Sequence, residues 1–304
     1  MKKLYCLTRR NCLVFLRDHS AVFFSLLSMF IVLLLMGVFL GDMNVENVTD
    51  ILAQYGGVRD AAIDKENASH LVQYWTLAGI LVVNAITVTL TVLGVMVTDV
   101  SQNRMESFYT APVNKLFIAV SYILSAIVIG TVFCLITFAV AVGYICATGG
   151  AMLSIGAIGR VILYIVMNVS VFAVILYLVA LFIKSSSAWS GLATITGTLV
   201  GFVGAIYLPM GSLPEGVANV LKYIPILHGT ALMRSVCCSD ALQTAFAGAP
   251  EEMFTIYQEH MGITVVMQDK IVSSGFQVSF LLICGMIALG VTAILLKSKN
   301  ISDR

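Results

Sequence analysis

The sequence predicts an all-α integral membrane protein with six membrane-crossing helices, and three observations carry that prediction. The 304 residues are 59% hydrophobic and 11% charged, with a mean hydropathy of +0.98, whereas a soluble globule uses about 25% charged residues to coat its surface. The apolar residues gather in runs of roughly the 20 residues a helix needs to cross a hydrocarbon core. Short polar segments separate these runs, and their Lys and Arg content differs systematically between the two sides of the membrane. The net charge of +1 excludes a basic nucleic-acid face.

The whole of 1–304 reads as one transmembrane domain. Residues 1–20 carry Lys2, Lys3, Arg9, Arg10 and Arg17, which on a helical wheel fall within an arc of roughly 120°. Leu4, Leu7, Val14, Phe15 and Leu16 lie elsewhere on the wheel. This fits an interface helix whose basic residues face anionic head groups, or an ordinary basic flank of the first span. The first span, 21–41, is longer than the roughly 7–15 residues of a signal core, and no A-x-A cleavage site follows it. Residues 42–73 form an acidic outer loop.

The second span, 74–98, opens with Tyr74 and Trp75, aromatics suited to the membrane interface. Residues 99–115 are a compact polar segment. The third span, 116–147, is longer than a bilayer demands, so it is tilted or has its ends in the interface. A glycine-rich break precedes the fourth span, 158–183. The fifth, 188–208, carries Gly197-x-x-x-Gly201, a small-residue ridge whose physical use is close helix packing.

Residues 209–275 begin with a stretch broken by Pro209, Pro214 and Pro225. Each proline removes a backbone donor and fixes a dihedral, so no continuous helix passes through. The stretch is too apolar for a solvated loop and too short to span, and it reads as a re-entrant helical hairpin. The sixth span, 276–296, ends at Lys297 and Lys299. Six spans place both termini on one side with residues 99–115 and Lys184. That side collects 11 Lys and Arg against 6 on the other, which puts the termini in the cytoplasm.

There is no H-E-x-x-H, no G-x-S-x-G and no phosphate-binding loop, so the chain is read as non-enzymatic, with no cofactor or metal of its own. Charge is nearly absent within the spans, which counts against ion-coupled transport and leaves energy to be brought by a cytoplasmic partner. Asn84 and Asn168 are polar exceptions, either lining a path or making interhelical hydrogen bonds. Cys134, Cys146 and Cys284 lie in apolar runs and read as buried hydrophobes, whereas Cys237 and Cys238 are left open between exposed thiols and a disulfide. His228 reads as a packed or interfacial histidine. The segment Thr98–Lys115 has Phe108 and Tyr109 at its middle and Arg104 and Glu106 at its rim. It suits a short helix docking into a groove on another protein, or a plain connecting loop.

In its order of elements the whole chain resembles the membrane subunits of type-two ABC exporters. In that family the second span is followed by a charged cluster, Gly-Thr, apolar residues and Thr-Pro-Val; here Glu106, Phe108, Tyr109, Ala111, Pro112 and Val113 match in position, with Asn103 and Arg104 where Gly-Thr is usual. After the fifth span, Leu213-Pro214, Ile224-Pro225 and Arg234 match the family pattern, with Glu215 where an apolar residue is common.

The resemblance implies a coupling segment formed by Asp99, Asn103, Arg104, Glu106, Phe108, Tyr109 and Pro112, beside the interface helix. It implies a re-entrant outer gate comprising Pro209, Pro214, Glu215, Pro225 and Arg234, in which Pro214 and Pro225 set the bends and Glu215 and Arg234 lie near the polar ends. Asn84 and Asn168 are candidate path-lining residues. The implied partners are membrane lipid, a separate ABC ATPase subunit carrying ATP and Mg, and a second copy of the chain or a related permease. The expected setting is the bacterial cytoplasmic membrane and the expected substrate is amphiphilic or hydrophobic. The rival readings are a non-transporting assembly or sensing subunit, an ion-coupled secondary transporter and a membrane enzyme.

Overall fold

A computed structural model describes residues 2–35, 41–55, 60–110, 114–268 and 270–302. Its helices begin where the sequence supplies caps. Asp60 accepts from the amides of Ala62 and Ile63 and starts α4 (Ala61–Ser101). Asn114 starts α6 (Lys115–Ala147), and Ser154 starts α7 (Ile155–Ala180). Ser185 starts α8 (Ser186–Val203). Each side chain satisfies a backbone donor that the first helical turn leaves without a partner. The N-terminal elements are α1 (Lys2–Arg17), α2 (His19–Leu35) and α3 (Gly41–Tyr55), and a short α5 (Met105–Thr110) joins α4 to α6. After α8 come a 3-10 turn at Met210–Ser212, α9 (Glu215–Leu221), α10 (Pro225–Cys237), α11 (Ser239–Ala245) and α12 (Glu251–His260). A two-residue antiparallel ladder, β1 (Val266–Met267) with β2 (Lys270–Ile271), then leads into α13 (Ser274–Ser302).

The 41 residues of α4 make it a mast about 60 Å long, around which α3, α6, α7, α8 and α10 pack. This corrects the expected division into an acidic loop at 42–73 and a span at 74–98. The acidic residues conceal a helix-period apolar stripe: Ala68, Leu71, Val72 and Trp75 on α4, with Val45, Val48 and Leu52 on α3, are buried in one core. Their burial carries the helix beyond the hydrophobic run.

Among the described residues, four helices are long and apolar enough to cross a membrane: α4, α6, α7 and α13 over Ser274–Lys297. At 17 and 18 residues, α2 and α8 reach about 26–27 Å, short of the roughly 30 Å core. Part of the expected first span, residues 36–40, lies outside the described residues. The expected fifth span, 188–208, ends as helix at Val203.

Packing is uneven. Most of α4 is buried, whereas α8 buries only Trp189, Val200 and Gly201, and α13 exposes Phe276, Met286, Ile287 and Ile294 among others. Among the described residues, Gly197 has open space around it, and a Cβ on Gly201 would collide with the Tyr207 ring rather than with a neighbouring helix. Cys146 is exposed rather than buried, because it lies on the outward face of α6. Cys237 and Cys238, left open as exposed thiols or a disulfide, are both free and fully buried.

Candidate functional site

The two charged side chains that the fold buries most deeply stand toward opposite ends of α4. Asp99, in its last turn, is 1% exposed. Its carboxylate takes both arms of the Arg10 guanidinium from α1, at 2.5 and 3.0 Å, and the Tyr122 hydroxyl of α6 at 2.7 Å. A paired fork of this kind is among the stronger hydrogen-bond geometries and offsets the cost of burying the charge. The hydrogen bond to Asp99 raises the pKa of Arg10 above its ordinary value, against the opposing effect of burial.

Arg10 was expected to face lipid head groups. It reaches Asp99 instead from the flank of the helix, because the neighbouring face, with Asn11 and Phe15, is buried against α6. There Asn11 donates to Ser121 at 3.2 Å, and Phe15 meets Phe133 edge to face.

The chain then leaves α4 through Asn103, whose φ of 57° is left-handed, a conformation asparagine tolerates. The Arg104 amide returns to the Asp99 carbonyl at 2.9 Å, and the Arg104 guanidinium stands 3.8 Å from the Asp99 carboxylate. This turn swings α5 back over Arg10, whose guanidinium lies 5.3 Å from the Phe108 ring centroid. Met105 sits 3.8 Å from the Tyr122 hydroxyl. Four elements, α1, α4, α5 and α6, are therefore tied through one carboxylate. Glu106 is exposed on α5 and borders a cavity of about 280 Å³ with Asn103, Lys115, Tyr177 and Lys184. The Tyr109 side chain and Pro112 lie outside the described residues.

Twenty-four residues back along α4, about 36 Å at the helical rise, Trp75 meets the second buried charge. Arg234 is 0% exposed, which corrects its expected place at a polar end. It sits in α10, whose residues Leu227 through Arg234 are all buried. Its guanidinium lies 4.2 Å over the Trp75 ring. It donates to the carbonyls of Ala205 at 2.7 Å, Met261 at 3.1 Å and Gly262 at 3.3 Å, and Trp75 Nε1 donates to the same Met261 carbonyl at 2.8 Å.

These acceptors end two helices in the same way. Ala205 (φ 50°) and Gly262 (φ 62°) are left-handed. The amides of Ile206 and Ile263 reach back to Gly201 and Gln258, closing α8 and α12 with left-handed caps. Each helix C-terminus carries about half a negative charge. Two of them converge on one cation, and among the described residues no carboxylate pairs with Arg234.

The prolines begin helices rather than bend one. Pro214 precedes the first turn of α9 and Pro225 opens α10, where a missing amide costs nothing; Pro209 precedes the 3-10 turn. Glu215 is exposed and borders an open cleft of about 450 Å³ with Lys222, Glu259 and His260. His228 is buried, bonded to the Lys222 carbonyl and 4.7 Å from the Phe280 ring. Asn84 bonds Thr137 at 2.8 Å, joining α4 to α6. Asn168 bonds the Tyr164 carbonyl within α7, and its side-chain oxygen lies where a Cβ on Gly229 would stand, so only glycine lets α10 approach α7 there. Among the described residues, no group of His, Cys, Asp or Glu side chains is arranged to hold a metal.

Arg10, Tyr122 and Trp75 were missed from the sequence as site residues. The available signal was that Asp99 and Arg234 are charges inside otherwise apolar surroundings and require partners. A family model described as ABC-2 family transporter protein matches residues 43–296. No curated protein matches the chain.

Proposed function

The chain belongs to the ABC-2 transporter family, and from that premise we propose that it is the permease subunit of a bacterial ABC exporter. ATP is bound with Mg and hydrolysed on a separate ATPase subunit, and the exported substrate is amphiphilic or hydrophobic. The permease lies in the cytoplasmic membrane with six spans and both termini inside, and it works with a second copy or a related chain. Residues 209–275 form the re-entrant outer segment. The basic bias of the termini, residues 99–115 and Lys184 supports that orientation.

The observation that carries the coupling mechanism is the Asp99 joint. Glu106 and Phe108 on α5 meet the ATPase, and a push on α5 reaches Arg10 through the Phe108 ring and α4 and α6 through Asp99. Because the carboxylate is shared, α1, α4 and α6 move with α5. The test is to express Glu106→Lys and Phe108→Ala with the ATPase, then measure ATPase co-purification and export. Reduced co-purification or reduced export per ATP hydrolysed is expected; unchanged values in both variants remove the coupling role.

A further inference from the structure

The two helix ends bound by Arg234 are not equivalent. The α12 cap uses glycine at its left-handed position, and a Cβ on Gly262 would come within 3.0 Å of the Arg234 guanidinium. Glycine adopts that conformation without strain, so this turn holds itself, and it keeps two of the three guanidinium bonds and the Trp75 bond. The α8 cap uses Ala205, for which the left-handed conformation is disfavoured by about five- to thirtyfold. The start and middle of α8 are held against α4 by Trp189, Leu192 and Ala193. Its terminal turn is held by the Ile206 and Tyr207 amides on the Gly201 carbonyl, by the Tyr207 ring lying back over Gly201 against Phe202, by the fully buried Ala205 and Ile206 side chains, and by one bond from Arg234 to the Ala205 carbonyl.

We propose that Arg234 is a positioning residue that latches the end of α8 through the Ala205 carbonyl, holding a turn that alanine resists. When the latch opens, that bond breaks first: the cation stays with α12 and Trp75, while the α8 end relaxes out of its left-handed turn. The strain at Ala205 works against the packing of the turn, and the charge-assisted bond from Arg234 adds the hold that offsets it. Assigning the open form to substrate release rests on the export reading. The latch itself does not.

Hydrogen exchange of the full-length protein in lipid nanodiscs, without ATP, partner or substrate, tests the latch on the amides of Ile206 and Tyr207. Ala205→Gly relieves the strain and is expected to slow their exchange about fivefold, with α10 and α12 unchanged. Arg234→Met is expected to speed it about tenfold or more, and Ala205→Gly combined with Arg234→Met to recover much of that loss. The proposal is overturned if Ala205→Gly leaves these amides unchanged, or if Arg234→Met loosens α10 and α12 equally and glycine rescues nothing. Should Arg234→Met fail to fold, Ala205→Gly alone decides. Export is measured separately on Ala205→Gly. Slower exchange with slower export supports the latch at the release step, whereas slower exchange with unchanged export keeps the latch and overturns its assignment to release.

Discussion

The Asp99 and Arg234 ends of α4 handle the same problem, a buried charge, by different means. Asp99 is met by another side chain of opposite charge, reached across 89 residues of sequence, and Arg10 keeps 31% of its side-chain surface exposed. Arg234 is met by backbone carbonyls at two helix ends and by an indole face, fully enclosed. A side-chain pair at the edge of water can be made and broken as its elements shift, and salt weakens it. Carbonyls at helix ends are available only while those ends keep their shape, so the Arg234 end depends on backbone geometry. The first arrangement suits a joint that transmits displacement, the second a lock that resists it.

That comparison is open to experiment, beginning with its largest effect. Arg234→Met leaves helix-end carbonyls buried without a donor and is expected to cost about 3–5 kcal/mol, read as a lower unfolding midpoint of the solubilised protein. A loss under about 1 kcal/mol would mean that the two helix ends do not depend on the cation. Asp99→Asn should cost about 2–3 kcal/mol, since hydrogen bonds to a charged group are lost or weakened.

The Arg10→Met and Asp99→Asn double-mutant cycle is expected to show a coupling of about 1–2 kcal/mol. That coupling should shrink between 0.1 and 1 M salt, while the Arg234→Met effect stays constant. Equal salt sensitivity at both ends would erase the distinction. Phe108→Leu should remove about 0.5–1 kcal/mol of cation–π attraction to Arg10. Arg104→Ala, at 56% side-chain exposure and 3.8 Å from Asp99, should change stability by less than about 0.5 kcal/mol.

Different parts of this molecule were legible in the sequence for different reasons. The apolar runs that became α6, α7 and α13 are local features, so their existence and rough bounds could be read directly. The prolines marked breaks correctly, but breaks and helix starts look alike until the following turn is seen, as Pro214 and Pro225 show. The acidic stretch 42–73 misled because six acidic side chains outweighed a buried stripe of Val45, Val48 and Leu52. The left-handed turn at Ala205 was invisible, since alanine gives no signal for it.

What the sequence determined by itself is the class of molecule: a charge-poor, helical membrane chain, which the match over 43–296 places in the ABC-2 transporter family. The tertiary structure alone decided what each buried charge pairs with. Hydrophobic length is a property of neighbouring residues, whereas the bond between Trp75 and Met261 closes 186 residues of chain. Such a bond exists only after the helices have packed, and the cost of leaving a buried charge unpaired then selects the partner.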